Sequence, residues 1–339
     1  MVGKKSFTLV EISIVMCVVA MLIGSLMGGR KIVERARIQA TIAEIQNYQS
    51  AFAKFYDTYG YMPGDMPDAQ AKLAPSGYTT ASLATIKTLD EKVLKTIPLN
   101  GKGIGELSGC IIPTAAPYYS DFSLAWSHLS AAGFIEEKYS SLCKSLTSDK
   151  SDDCFEAGYN VPKAKYGYNG MYIFSTLTKF HSEYQLGLLE GQKATKHTAL
   201  LIVNLKNTYN QKFLNGNVEL NYERTCRQIS GTTYRFGFSN GGITASMLAE
   251  IDIKIDDGFP LTGNVAAQNP AAGKTSYAVS TTHQCVKIAT AQYGANAGKI
   301  NGTIVSTILN NPASLAAINM YNATDKQALC IGVFAMPQF

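Results

Sequence analysis

The chain has 339 residues, of which 46% are hydrophobic and only 16% charged, and its net charge is +5. That length suits a head of one large domain or two small ones, beside any extended segment. The positive balance is too weak, and too poorly clustered, for a nucleic-acid binder. The small charged share leaves Ser, Thr, Asn and Gln to cover the surface, a style common in secreted and envelope proteins.

The chain opens MVGKKS and continues FTLVEISIVMCVVAMLIGSLMGG. From Phe7 to Gly29 the one charged residue is Glu11. A helix needs roughly 20 apolar residues to cross a bilayer core of about 30 Å, so residues 7–29 are expected to be a transmembrane segment. A secretory signal has a shorter apolar core, about 7–15 residues, and ends in a small-x-small site that is missing here. A carboxylate in a bilayer costs about 2.5–3.5 kcal/mol and calls for a partner. A cut between Ser6 and Phe7 would supply one, because the new α-amine at Phe7 would stand about 6 Å from Glu11 along the helix axis.

Residues 30–60 continue the helix without proline or glycine as far as Tyr59. Ile38, Ile42, Ile45, Tyr48, Phe52, Phe55 and Tyr59 recur in steps of three and four and mark one buried face. Gly60 and Pro63 supply the stop. The YGYMPGDMPDA segment then reads as a turn, with Asp65 and Asp68 in turn positions. Short helices are expected at Thr85–Ile97 and Asp121–Ile135, the second with Ser120 or Asp121 as N-cap and Trp126 on its apolar side. GKGIG at 101–105 lacks the phosphate-loop spacing and reads as a loop. Residues 140–158 read as a polar surface loop. Strands are expected at Met171–Ser175, Ala199–Leu205, Val218–Tyr222, Thr233–Phe238, Ser276–Val279 and Ile331–Ala335. The sum is an α+β chain in which a long N-terminal helical spine, transmembrane and then amphipathic, packs on an antiparallel sheet head at 61–339.

Seven cysteines are present. Cys17 lies in the apolar run. No pair among Cys110, Cys143, Cys154, Cys226, Cys285 and Cys330 has metal-site spacing, so these six are expected to form three disulfides in an oxidising compartment. Cys143 with Cys154 and, more weakly, Cys285 with Cys330 are the favoured pairs among 15 possible connectivities. Asp252, Asp256 and Asp257 surround a Gly-Pro turn and are the candidate ligands of a calcium ion, against a plain turn of solvated acids. No other cofactor is expected. Gly237-Phe238-Ser239-Asn240-Gly241 satisfies G-x-S-x-G, with Asp257 and His283 following in hydrolase order, but a nucleophile elbow needs a parallel sheet with crossover helices, and no such rhythm exists here. No enzymatic activity is expected.

Lys4-Lys5-Ser6-Phe7-Thr8-Leu9-Val10-Glu11 resembles the processing site of type IV prepilins and type II secretion pseudopilins. FYDTYGYMPGDMPDA, AWSHLSAAGFIEE and EIDIKIDDGFPLTGNV are similar to stretches of large prepilin-type proteins. The resemblance implies removal of residues 1–6 by a prepilin peptidase, N-methylation of Phe7, and assembly through Phe7 and Glu11. The family usually carries Gly before the cut, where this chain has Ser6. Its implied partners are copies of itself and other pilins, the peptidase, an inner-membrane assembly platform and membrane lipid before assembly. The implied location is a single-pass inner-membrane protein with a periplasmic head, then a surface or periplasmic filament. The alternatives are a type II secretion pseudopilin and, from another class, a membrane-anchored envelope hydrolase or binding protein.

Overall fold

A 51-residue helix, α1 (Leu9–Tyr59), organises the molecule. The computed structural model describes residues 8–74, 93, 97–107, 111–112, 119–143, 155–166, 170–177, 197–204, 240–260, 263–268, 285–286, 320–325 and 329–337. Among these residues three further helices follow: α2 (Ala69–Leu73), α3 (Asp121–Ala131) and α4 (Ala245–Ile255). A two-stranded ribbon pairs β1 (Ile111–Ile112) with β2 (Tyr119–Ser120). The main sheet comprises β3 (Met171–Leu177), β4 (His197–Asn204), β5 (Asn240–Gly241), β6 (Ile243–Thr244), β7 (Val265–Gln268) and β8 (Leu329–Ala335). Every pairing between these strands is antiparallel, along the path β3-β4-β8-β6, with β5 on β4 and β7 on β8. Helices on an antiparallel sheet make the chain α+β, as its element pattern implies.

The apolar period of the second half of α1 does what its spacing dictates. Ile38, Ile42, Ile45, Tyr48, Phe52 and Phe55 are all buried, and Tyr59 packs at the margin of the core. Tyr172 and Phe174 alternate onto the same face of β3. The rings meet directly: Tyr48 lies 4.8 Å from Trp126 and 5.1 Å from Tyr172, Phe52 lies 4.9 Å from Phe174, and Trp126 stacks on Phe174 at 4.6 Å. Gln49 donates to the Ala335 carbonyl at 2.8 Å, which ties α1 to β8 as well. The register carries the row onward through Phe174, Leu200, Phe334 and Val265. On the same face Gly332 leaves room for α4, since a Cβ there would stand 3.4 Å from Leu248.

The helix ends follow from local chemistry. Gly60 adopts a left-handed φ of 71° and closes α1. The helix expected over Asp121–Ile135 stops at Ala131 instead. Gly133, at φ 75°, turns the chain, with Phe134 N–H donating to the Leu129 carbonyl and Gly133 N–H to that of Ser130. That pair of bonds is the Schellman closure, which the glycine selects. Ser140–Cys143, expected to begin a surface loop, is fully buried, because Ser141 Oγ accepts Leu99 N–H at 3.1 Å and lies 2.7 Å from Ser127 Oγ. The strands expected at Val218–Tyr222, Thr233–Phe238 and Ser276–Val279 lie outside the described residues, as does most of Thr85–Ile97.

The transmembrane expectation is overturned, and with it the single-pass inner-membrane location. Among the described residues no helix is long and apolar enough to cross a membrane. The apolar half of α1 also carries a carboxylate, Glu11, near its start, which a bilayer core disfavours.

His128 stitches the turn after α1 to the rest of the head. Its Nδ1 accepts Gly64 N–H at 2.9 Å and its Nε2–H donates to the Leu99 carbonyl at 2.7 Å, with the ring fully buried. A neutral imidazole satisfies both contacts, and an imidazolium would aim a second donor at Gly64. Burial lowers its pKa from 6.5 to about 4. The unfolded chain therefore binds the extra proton between those values, so this stability is complete above pH 6.5 and is lost as pH falls toward 4. The loss amounts to about 3 kcal/mol. In urea titrations the stability gap between wild type and His128→Gln should shrink by about that amount between pH 7.5 and pH 4. A gap independent of pH would contradict the tether.

Candidate assembly surface and acidic turn

The amino-terminal half of α1 begins with a capping box. Thr8 is the N-cap, in extended conformation, and its Oγ1 accepts Glu11 N–H at 3.3 Å. Glu11 Oε2 in return accepts Thr8 N–H at 2.8 Å and the Thr8 hydroxyl at 2.9 Å. Two donors that a helix start leaves orphaned are satisfied in this way. The Thr8 backbone N–H, then its hydroxyl, hold the Glu11 carboxyl below the usual range. Glu11 was expected to meet an amine at Phe7, but Ser6 and Phe7 lie outside the described residues. The T-x-x-E spacing ahead of an apolar run was the missed signal, for it alone specifies this cap.

Beyond the cap the helix is apolar on every side and open to solvent. Leu9 is 86% exposed, Met21 75% and Leu22 63%, and Val10, Ile12, Ile14, Val15, Met16, Val18, Val19 and Ile23 are exposed with them. Cys17, a free thiol, lies on the same stretch. A helix hydrophobic all round ordinarily lies buried. Between this rod and the docked half comes a collar of Lys31, Ile32, Val33, Glu34, Arg35 and Arg37, all exposed.

At the other end of the sequence the structure brings Asp252, Asp256 and Asp257 together, with one carboxylate oxygen of each within 4.8 Å of the others. Thr244 caps α4 by accepting Met247 N–H, and Asp252 rides in its last turn. Asp252 accepts the Tyr321 hydroxyl at 2.7 Å and Gly258 N–H at 3.0 Å. Asp256 accepts Val265 N–H at 2.7 Å and Asn264 N–H, and Asp257 accepts Phe259 N–H at 2.9 Å. All three carboxylates thus brace the turn that leads from α4 into β7. Lone pairs remain by which the three could hold calcium. Desolvation raises the Asp252 pKa from 3.8 to about 7, against the pull of its hydrogen bonds. Asp65, the other carboxylate read as a turn residue, is also buried and accepts Ile104 and Gly105 N–H at 2.9 and 2.7 Å, which fixes the GKGIG loop.

Cys285 and Cys330 form a disulfide with Cα atoms 5.1 Å apart. Asn322 N–H donates to the Cys285 carbonyl, and Val286 pairs with Tyr321, so this bond helps hold Tyr321 on Asp252. Cys143 is disulfide-bonded as well. Its partner lies outside the described residues, as do Cys110, Cys154 and Cys226. The G-x-S-x-G match has a different explanation in its second half. Gly241 sits in β5, where a Cβ would stand 2.5 Å from the Cys330 nitrogen, so backbone crowding demands glycine. The sheet beside it is antiparallel, whereas the elbow needs parallel strands. Ser239 and His283 lie outside the described residues.

Two measurements probe these local arrangements. Glu11→Ala should expose the amides of Leu9–Ser13 to faster hydrogen exchange, while Glu11→Gln, which keeps an acceptor for Thr8, should not; equal exchange in both variants would remove the capping role. Asp252 binds its proton more tightly when folded, so it destabilises the native state increasingly as pH rises from 3.8 through 7. Asp252→Asn should therefore gain roughly 2–4 kcal/mol over wild type at pH 8 and little at pH 4, read from urea unfolding at both pH values. No family model matches the chain, and comparison with curated proteins and with solved structures finds no match either.

Proposed function

We propose that this chain is a structural subunit of a type IV pilin-like filament, assembled through the amino-terminal half of α1 after removal of residues 1–6 ahead of Phe7. One observation carries the reading. A single helix is docked on its own head over Ile38–Phe55 and presents an unsheltered apolar rod over Leu9–Ile23. Among the described residues no part of the head covers the rod, so cover would come from other molecules. Full burial of each Leu, Ile, Val or Met there is worth roughly 1.5–3 kcal/mol. Exposed apolar surface on this scale marks an interaction site. Rods that pack beside one another while their heads project outward make head-to-tail contacts that do not close, and these generate helical filaments.

The proposal covers a structural role and no catalysis. Its test uses Val15, Val19 and Leu22, which share one stripe of the rod. Changing all three to Asp should abolish fibres in electron micrographs and leave a monomer in sedimentation, with the thermal unfolding of the head unchanged. Mass spectrometry of wild-type fibres should show a chain beginning at Phe7. Wild-type protein that stays monomeric, or fibres that survive the triple change, would refute the reading.

A further inference from the structure

The filament reading says which surface is covered without saying where a neighbour's head makes contact, and the distribution of charge narrows that choice. Immediately below the docked half, the stripe that is buried at Ile38 and Ile42 continues as Lys31 and Arg35. These two, with Arg37, are exposed, and among the described residues no ion pair engages them. Ile32 and Val33 beside them are 69% and 51% exposed. The collar is thus a basic helical segment with an apolar component and no cover from its own head.

The complementary surface lies at the end of α4. Glu250, Ile253 and Asp257 recur in steps of three and four on the outer side of that helix and its exit turn, and Glu250, Ile253 and Asp257 are exposed. Ile253 is 68% and Phe259 49% exposed, the two most exposed large apolar side chains among the described residues of the head. Lys254 also lies on this surface, and Glu250, Asp256 and Asp257 outnumber it. The backbone bonds of Asp256 and Asp257, and the buried bond from Tyr321 to Asp252, fix the patch in place. It is a preformed acidic surface with two apolar anchors, and the collar is basic with two apolar side chains of its own.

We infer that the acidic end of α4, centred on Glu250, Ile253 and Phe259, is the seat for the Lys31–Arg37 collar of a second copy of this chain. This inference rests on the filament reading and adds the contact that sets the register between neighbours. Ile253 and Phe259 meet Ile32 and Val33, while Glu250 and Asp257 face Lys31 and Arg35. The two patches differ, so the contact is heterologous and each copy offers one of each. Because opposite charges steer encounter and fix register, reversing one side should act more strongly than neutralising it.

Charge exchange in the full-length chain provides the test, with assembly read as the fraction pelleted over a concentration series. Arg35→Glu and Glu250→Lys should each raise the concentration needed for assembly about tenfold, and the chain carrying both should return close to the wild-type value. Both sites are exposed, so near-ultraviolet circular dichroism should stay unchanged in each variant. Added salt should weaken wild-type assembly and reduce the difference between wild type and the single variants. Single reversals that assemble like wild type, or a double variant no better than the singles, would overturn this seat and leave the filament reading intact. A wild-type chain that never pellets would overturn both.

Discussion

The structure depends on the ring cluster formed where α1 meets β3 and α3. Tyr48, Phe52, Trp126, Tyr172 and Phe174 come from three elements far apart in sequence and contact one another edge-on, tilted and stacked. Aromatic pairs of this kind contribute about 0.5–1.5 kcal/mol each beyond the area they bury. The cluster sets how α1 lies on the sheet. It also sets where α1 leaves the head, and so which part of the helix stays uncovered. Tyr172 extends from the cluster to Glu44 through its hydroxyl, and Lys165 meets the same carboxylate at 3.0 Å. The docked half is thereby held at its margin as well as its centre.

A second constraint lies at the far end of the same sheet. Cys330 in β8 is bonded to Cys285, and the segment beside Cys285 positions Tyr321 over Asp252. The central strand and the acidic turn thus form one connected unit. Glycine makes the crowding there possible. Gly241 and Gly332 each stand where a side chain would meet β8 backbone or an α4 side chain. Asp252, Asp256 and Asp257 are engaged in turn geometry, and Gly241, the last residue of the hydrolase-like pentapeptide, sits in an antiparallel pairing.

Much of the helical framework was legible in the sequence, because the 3.6-residue period of Ile38–Phe55 survives unchanged from pattern to packing. Strands β3, β4 and β8 were legible from runs such as ALLIV, whose side chains are buried on both faces of the sheet. The burial of Ser140–Cys143 was not legible, since a polar run reads as exposed unless its hydrogen-bond partners, here Leu99 and Ser127, are known from the fold. The capping role of Glu11 was not read from the sequence. A carboxylate in an apolar run suggests a distant cation, yet its neighbour three residues back already supplies two donors. The membrane-crossing expectation rested on apolar composition, and among the described residues no helix meets it. The acidic turn was located by its three aspartates, but the raised pKa of Asp252 comes from its burial in the fold, against the opposing bond from Tyr321, and no local pattern announces that burial.

The continuity of α1 has a mechanical consequence. One unbroken helix runs from the capping box to Gly60, so a pull on its free end is transmitted along hydrogen bonds that lie parallel to the load. At the head that load arrives as sliding along the groove between Tyr172, Phe174 and Trp126, and every ring in the groove resists it together. Shear of interlocked side chains yields all at once, unlike peeling, in which contacts fail one by one. The docked half of α1 is therefore built as a grip whose strength grows with its length.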